Sequence, residues 1–328
     1  MVLNRFNIPR DIFDGPVLVT GAGGCIGAWT LSLLTDAGAE VFAFDLSDNK
    51  RRPSFLIEEE ILNNIPWMTG DISDTETVMN TIEKVQPQAI IHLAALQVPF
   101  CAADPVEGAK VNVVGTVNIL ESAKKNGIKR ISHASSVAAH SFLPGSNSLK
   151  TLYGAYKTCD EQISEVYWQD HGVPSICLRP GIVVGVGRDQ GMTSKQTVAM
   201  LAAALNEPYD IPYTGNVSHL FAGEVASAFI HSVAYEGDGA FVFDIFGESV
   251  NIEDTIKMIN KIKPNSKITS SGSEMPFPSR LSDTPLREHL KKRISDYGCI
   301  DTMTIISETI KAFEILLQSG QIDKNYLK

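Results

Sequence analysis

The sequence predicts an α/β fold: a doubly wound parallel sheet followed by a smaller, irregular C-terminal region. Three observations carry this reading. Short apolar runs alternate with helical patterns through the first half of the chain. A glycine-rich turn directly follows the first of those runs. The alternation breaks after Arg179 and Pro180, where Gly181, Gly185, Gly187 and Gly191 punctuate a loop. At 328 residues the chain has room for one large domain or two moderate ones.

Residues 16–20 make the first apolar strand. A helix over 26–37 follows, with Gly38 as its C-terminal stop. Strands are predicted at 40–45 and 65–69, the second leading into Asp71. Asp74 carries the side chain of a helix N-cap and opens a helix that runs to Val85. A strand at 89–92, a long helix over 106–126 and a strand at 130–134 come next. A second long helix over 153–171 precedes a strand at 175–178. Alternation of this kind lays helices on both faces of a parallel sheet. Beyond the loop, helices are predicted at 193–205, 224–235, 252–262 and 302–317, and a strand at 241–245. The Ser- and Pro-rich stretch 270–285 reads as loop. The chain is expected to return to the sheet near 222–247. That divides it into 1–180 plus the return segment, and 181–221 with 248–328. Residues 1–15 read as a short arm laid on the first part.

Composition excludes several classes of function. The net charge is −10 and no long basic run occurs, so a nucleic-acid partner is not expected. No apolar stretch reaches the roughly eighteen residues of a membrane span. The N-terminus lacks the apolar core of a signal peptide. The five cysteines are scattered and none sits in a Cys-x-x-Cys, which reads as reduced thiols in a cytoplasmic protein. No His, Cys and Asp grouping has metal-ligand spacing, so no metal is expected. His92 and His133 fall on strands and read as satisfied core histidines.

Two motifs carry chemistry. Gly21, Gly24 and Gly27 lie in the turn after the first strand. Spaced glycines there let backbone amides approach a pyrophosphate, and the helix that begins at this turn points its positive end at the anion. Asp45, at the end of the next strand, suits the adenosine ribose hydroxyls and would repel a ribose phosphate, which favours NAD over NADP. Arg51 and Arg52, close behind, are placed where an arginine could hold that phosphate, but read rather as a solvated basic turn. Asp71 and Ile72 suit a contact to the adenine edge. The second motif is Tyr153 with Lys157, one helical turn apart and so on a shared face. An ammonium beside a phenol favours the phenolate, which takes a proton from an alcohol.

Together these residues resemble the extended short-chain dehydrogenase/reductase family, the group that includes NAD-dependent epimerases and dehydratases. The matching motifs are Gly21, Gly24 and Gly27; Asp71-Ile72; His92-Leu93-Ala94-Ala95; Ser135-Ser136; Tyr153-Gly154-x-x-Lys157; and Leu178-Arg179-Pro180. They cover residues 16–245 well and the remainder loosely. The resemblance implies a Rossmann-type fold with a substrate-binding C-terminal region. It implies Tyr153 as general acid/base, Lys157 on the nicotinamide ribose, and Ser136 on the reacting oxygen, with Ser135 the competing choice. It implies cofactor contacts from Gly21, Gly24, Cys25, Ile26, Gly27, Asp45, Asp71, Ile72, Leu93, Ala94, Ala95 and Asn112. It also implies a homodimer paired through the helices over 106–126 and 153–171.

The departures from the family pattern narrow the expectation. Dehydratases carry acidic residues just after the catalytic Ser or Thr, where this chain has Val137 and Ala138. Sugar-nucleotide epimerases clamp the diphosphate with an arginine where this chain has Ser218. Arg188, Thr193 and Arg280 remain as groups to meet a small polar or acidic substrate. The expected activity is an NAD-dependent oxidation of a secondary alcohol on a small sugar, polyol or sugar-acid-like compound. Two alternatives stand beside it: a (nucleotide-)sugar epimerase that retains its keto intermediate, and an NAD-binding sensor without turnover.

Overall fold

The computed structural model describes residues 6, 8–245, 247–275, 278, 281–291 and 300–327. Among these the strands are β1 (Val17–Thr20), β2 (Val41–Asp45), β3 (Trp67–Thr69), β4 (Ala89–His92), β5 (Ile131–Ala134), β6 (Ser175–Pro180), β7 (Ile182–Val184), β8 (Pro208–Ile211), β9 (Asn216–Phe221), β10 (Ala240–Ile245), β11 (Glu248–Asn251) and β12 (Lys267–Ser270). The helices are α1 (Cys25–Asp36), α2 (Glu59–Asn64), α3 (Thr75–Val85), α4 (Val98–Ala103), α5 (Pro105–Ala109), α6 (Gly115–Asn126), α7 (Leu152–His171), α8 (Lys195–Leu205), α9 (Ala222–Ser232), α10 (Ile252–Ile262), α11 (Thr284–Lys291) and α12 (Thr302–Gln318).

Seven strands pair in the order β10-β6-β5-β4-β1-β2-β3, and every pairing is parallel. Strands β1 and β4 are buried along their whole length, as apolar runs covered on both faces must be. The chain order reverses between β1 and β4. That is the switch point where open α/β sheets take ligands, outside the carboxyl ends of the strands. One apolar core joins α1, α8, α9 and α12 on one face. A second, from α3 and α6 with Phe44 and Ile72, fills the other.

The expected elements are present, with shifts of a few residues at their ends. One helix differs in kind. The long helix over 106–126 is interrupted by a π turn, Lys110–Val114, between α5 and α6. The extra residue turns Asn112 inward, where it is 1% exposed. Gly115 then packs so close to Ile72 that a Cβ would lie 3.0 Å from its Cγ2. Two small sheets were not expected: β11-β9-β7 and β12-β8. Their strands are only three to six residues long, too short for a period to mark them. Part of the stretch read as loop at 270–285 lies outside the described residues, and α11 begins within it at Thr284. From the N-terminal arm, the Phe6 ring stacks on Phe221 at 6.2 Å.

Candidate active site and dinucleotide cleft

Helix α1 starts directly after the glycine turn, with Gly24 at its N-cap, no side-chain cap and no acid in its first turn. Its first amides therefore have no partner within the helix. They face a cavity lined by Gly21, Gly24, Cys25, Ile26 and Gly27. Burial pushes the Cys25 thiol up to about 11, against the pull of Arg188 and Arg52, so no thiolate opposes an anion there. The turn has no slack. A Cβ on Gly27 would sit 2.2 Å from the carbonyl oxygen of Gly21 and 2.9 Å from the Cα of Ala22. Gly27→Ala is therefore expected to push α1 off the turn. Calorimetric titration with NAD should show at least about tenfold weaker binding, the loss of roughly one charge-assisted hydrogen bond.

From the glycine turn the cleft runs toward β2 as a second cavity of about 530 Å³, lined by Asp45, Asp71, Ile72, Leu93, Ala94 and Ala95 among others. Asp45 accepts the amide of Gly23 at 2.9 Å, which fixes its carboxylate at the rim. Asp71 accepts both the amide and the hydroxyl of Ser73 at 2.8 Å, so it is a turn-holding acid as well as a lining one. Leu93 and Ala94 are held by the Thr20 hydroxyl, which accepts their amides at 3.2 and 3.3 Å. Uncapped amides at the glycine turn, an acid beyond β2 and a cleft of this length fit a dinucleotide.

Asn112 lines neither cavity. Its amide accepts from Leu96 N at 2.8 Å and donates to Leu96 O at 3.1 Å, so it clamps the loop after β4 from behind. Arg280 lies outside the described residues. Arg52 departs from the expected solvated turn, while Arg51 stays half exposed as expected. Both are bonded to Asp189, at 2.5 and 2.7 Å, and Arg52 is only 19% exposed. His92 and His133 are buried, and burial keeps both neutral, His133 down at about 3. His92 is satisfied as expected, whereas His133 meets Ser164 through Nε2 alone and its Nδ1 finds no partner among the described residues.

At the other end, Ser136, Tyr153, Lys157, Arg188 and Thr193 line the cavity at the glycine turn, about 220 Å³ in size. Local structure brings them together. Thr151 caps α7 by accepting the Gly154 amide at 3.0 Å, which starts the helix just ahead of Tyr153. Gly154 lies so close to the 3₁₀ turn after β5 that a Cβ would sit 2.7 Å from Ala138 O. That contact sets the first turn of α7 against Ser136. Ser136 caps the 3₁₀ turn, accepting Ala138 N at 3.2 Å. Ser135 is spent elsewhere. Its hydroxyl donates to Glu161, which also takes a fork from Arg179 at 2.7 and 2.6 Å.

Lys157 is 2% exposed, and its Nζ lies 6.0 Å from the centroid of the Tyr153 ring. The same Nζ donates to Asp160 at 3.2 Å. Burial opposes the lysine's charge, but Asp160 and Tyr153 outweigh it and hold its pKa above the ordinary value. Burial pushes Asp160 up to about 6 against the pull of Lys157. We take both groups as charged near neutrality, because the contact favours both charges and either alone would be stranded.

Sequence reasoning missed Asp160, Asp189 and the cavity walls Gln97, Pro99 and Met192. Gln97 accepts from Arg188 Nη1 at 3.3 Å, and Thr193 accepts from Nη2 at 3.1 Å. No sequence spacing marks Gln97, which sits 91 residues from Arg188. Also part of this wall is the loop carrying Val186, whose carbonyl accepts the Trp29 indole N–H at 3.0 Å. Among the described residues no group of His, Cys, Asp and Glu could hold a metal ion, and no helix is long and apolar enough to cross a membrane.

Several known proteins are similar to this chain. The CDP-glucose 4,6-dehydratase of Salmonella typhimurium is 31% identical over 201 residues, covering 55% of this chain and 55% of the relative. A UDP-glucose 4-epimerase of Mycolicibacterium smegmatis is 28% identical over 236 residues, covering 68% and 74%. The match thus spans about half the length of the first relative and three quarters of the second. A UDP-glucose 4-epimerase of Thermotoga maritima superposes with a TM-score of 0.76 at 19% identity, over 92% of this chain and 99% of that one. An L-threonine dehydrogenase of Clostridium difficile does so with 0.74 at 20%, over 94% and 99%. These two likenesses speak for the fold. The NAD dependent epimerase/dehydratase family profile matches residues 17–245, more than half of the chain. The glycine turn, the acid beyond β2 and the Tyr153–Lys157 pair all fall within that span. The chain belongs to this family of extended short-chain dehydrogenases/reductases, whose cofactor is NAD.

Proposed function

We propose that the protein is an NAD-dependent dehydrogenase that oxidises a secondary alcohol on a small, acidic hydroxy compound. One observation carries the reading. The cavity that holds Tyr153 and Ser136 measures about 220 Å³ and must also seat the nicotinamide. That is below the roughly 300–1,000 Å³ of a pocket for a drug-sized ligand, which favours a small substrate over a nucleotide sugar. In its wall stands Arg188, which no carboxylate pairs among the described residues and whose buried Nε has no hydrogen-bond partner. A guanidinium held by two neutral side chains keeps its charge for a ligand, and a carboxylate matches its fork.

The chain's residues divide the chemistry. When bound, NAD supplies the hydride acceptor. Ser136 holds the substrate hydroxyl by its oxygen. Tyr153, as phenolate, takes the hydroxyl proton. Lys157 stabilises that phenolate, with Asp160 holding the ammonium in place. Arg188 and Thr193 orient the acid end. The substrate contacts of this proposal thus come in part from the 181–221 stretch. The proposal includes a homodimer, supported by the exposed apolar Val166 and Trp168 on α7 and Val114 beside α6. It includes the cytoplasm, supported by four free cysteines among the described residues.

The test is steady NADH formation, followed by absorbance, across small hydroxy acids, sugar acids and neutral polyols. L-threonine, named for several proteins of this fold, belongs in the first panel. Arg188→Met is expected to raise KM for the acidic substrate about tenfold or more, since a charge-assisted hydrogen bond is worth about 1.5–3 kcal/mol. A neutral polyol should not feel the change. Equal losses on both compounds would remove Arg188 from substrate binding. The family relatives favour an epimerase as a second reading. That reading requires the keto intermediate to stay bound, with no net NADH. Against it, Ser218 is 1% exposed and gives its hydroxyl to Gly247 O at 3.0 Å, so no cation stands there for a diphosphate.

A further inference from the structure

Asp189 stands in the wall of the larger cavity with Asp45 and Arg52. Three side chains converge on it from distant parts of the chain. Arg52 gives Nε and Nη2 to its Oδ1 at 3.0 and 2.7 Å. Arg51 gives Nη2 to Oδ2 at 2.5 Å. The Tyr326 hydroxyl donates to Oδ2 at 3.0 Å. The Arg51 guanidinium also lies over the Tyr326 ring, 4.9 Å from its centroid, and that ring meets the edge of Phe55 at 5.7 Å. The Asp189 side chain is only 9% exposed. These arginines are therefore committed, in charge and in direction.

Their position gives the commitment a meaning. Arg52 Nη1 donates to Gly23 O at 3.0 Å, and Gly23 N donates to Asp45 at 2.9 Å. The guanidinium is thus one residue's width from the acid that faces the ribose. Cations beside that acid are what a ribose 2′-phosphate needs. We propose that Asp189 is a specificity-determining residue for the dinucleotide: by occupying Arg51 and Arg52 it withholds them from a 2′-phosphate. The inference rests on the NAD reading of the cleft. Two acids then discriminate by different means, Asp45 by repulsion and Asp189 by competition for the arginines. Replacing Asp45 alone would lift the repulsion and leave both cations engaged.

The test is nicotinamide fluorescence titration of the full chain with NADH and with NADPH. The proteins are wild type, Asp189→Asn, Asp189→Ser, and Asp189→Asn combined with Arg51→Gln and Arg52→Gln. In both single variants the ratio of Kd for NADPH to Kd for NADH is expected to fall about tenfold or more, mainly through tighter NADPH. The triple variant should lose that gain. An unchanged ratio in both single variants that still bind NADH overturns the inference and leaves the NAD reading standing. So does a triple variant that keeps the gain. A wild type that binds neither dinucleotide overturns the NAD reading itself, and the inference with it.

Discussion

Tyr153→Phe is expected to lower kcat/KM by about three orders of magnitude, within the roughly 10²–10⁴ typical of a general acid–base group. The ring would still fill the same wall of the cavity, because only one oxygen is lost. The Lys157 ammonium would keep its contact with Asp160, so the charge beneath the ring would not be stranded. NAD affinity should therefore change little, and the melting temperature less. Calorimetric binding of NAD alongside steady-state rates separates the two effects. Unchanged turnover would mean that the phenol moves no proton, and would revive the reading of an NAD-binding protein without chemistry. A parallel loss of NAD binding would place the hydroxyl in cofactor binding instead.

Lys157→Met is expected to have the largest effect on stability. The change leaves Asp160 fully buried, with one carboxylate oxygen already lacking a partner. Breaking a buried pair from one side costs about 3–5 kcal/mol, roughly 4–7 °C in melting temperature for a chain of this size. Lys157→Met with Asp160→Leu should recover most of that stability and none of the activity. The two variants thus divide the charge-stranding effect from the catalytic one. The sign of the pH dependence follows. Burial already raises Asp160 to about 6 in the native state, and removing the lysine removes the main group pulling it down, leaving only the weaker pull of Thr116. A carboxyl whose folded pKa is raised contributes stability at low pH and loses it as pH rises through that value. The deficit of Lys157→Met should therefore shrink as pH falls through the variant's raised carboxyl pKa. A single variant as stable as wild type at every pH would show that the pair is not ionic in the native protein.

What could be read in the sequence was what the chain writes locally. The glycine turn, the cap at Asp74 and the spacing of Tyr153 and Lys157 each lie within a few residues, so their geometry follows from a helix or a turn alone. Parallel strands covered on both faces appear as unbroken apolar runs, and β1, β2 and β4 were legible for that reason. The rest depends on distant pairing. Asp189 meets Arg51 and Arg52 across 138 and 137 residues, and no spacing announces it. A pair of arginines beside a turn looks solvated until its acid is known. Strand β9 pairs with β7 and β11 to make a sheet whose existence depends on all three at once. The π turn at Lys110–Val114 is one residue too many in an otherwise regular helix, and periodicity averages it away. Asn112 was read as a cofactor neighbour, and only its bonds to Leu96 reveal that it works from behind the loop.

The indole of Trp29 ties helix α1 to the Val186 carbonyl and meets Phe221 edge-on at 5.0 Å. It is almost wholly enclosed, at 2% exposure. The protein therefore carries an intrinsic optical reporter where helix α1 meets the loop of Val186. With Trp67 and Trp168 replaced by Phe, a shift in the emission of this one side chain would register a rearrangement between helix α1 and the loop that carries Val186, without a label and without turnover.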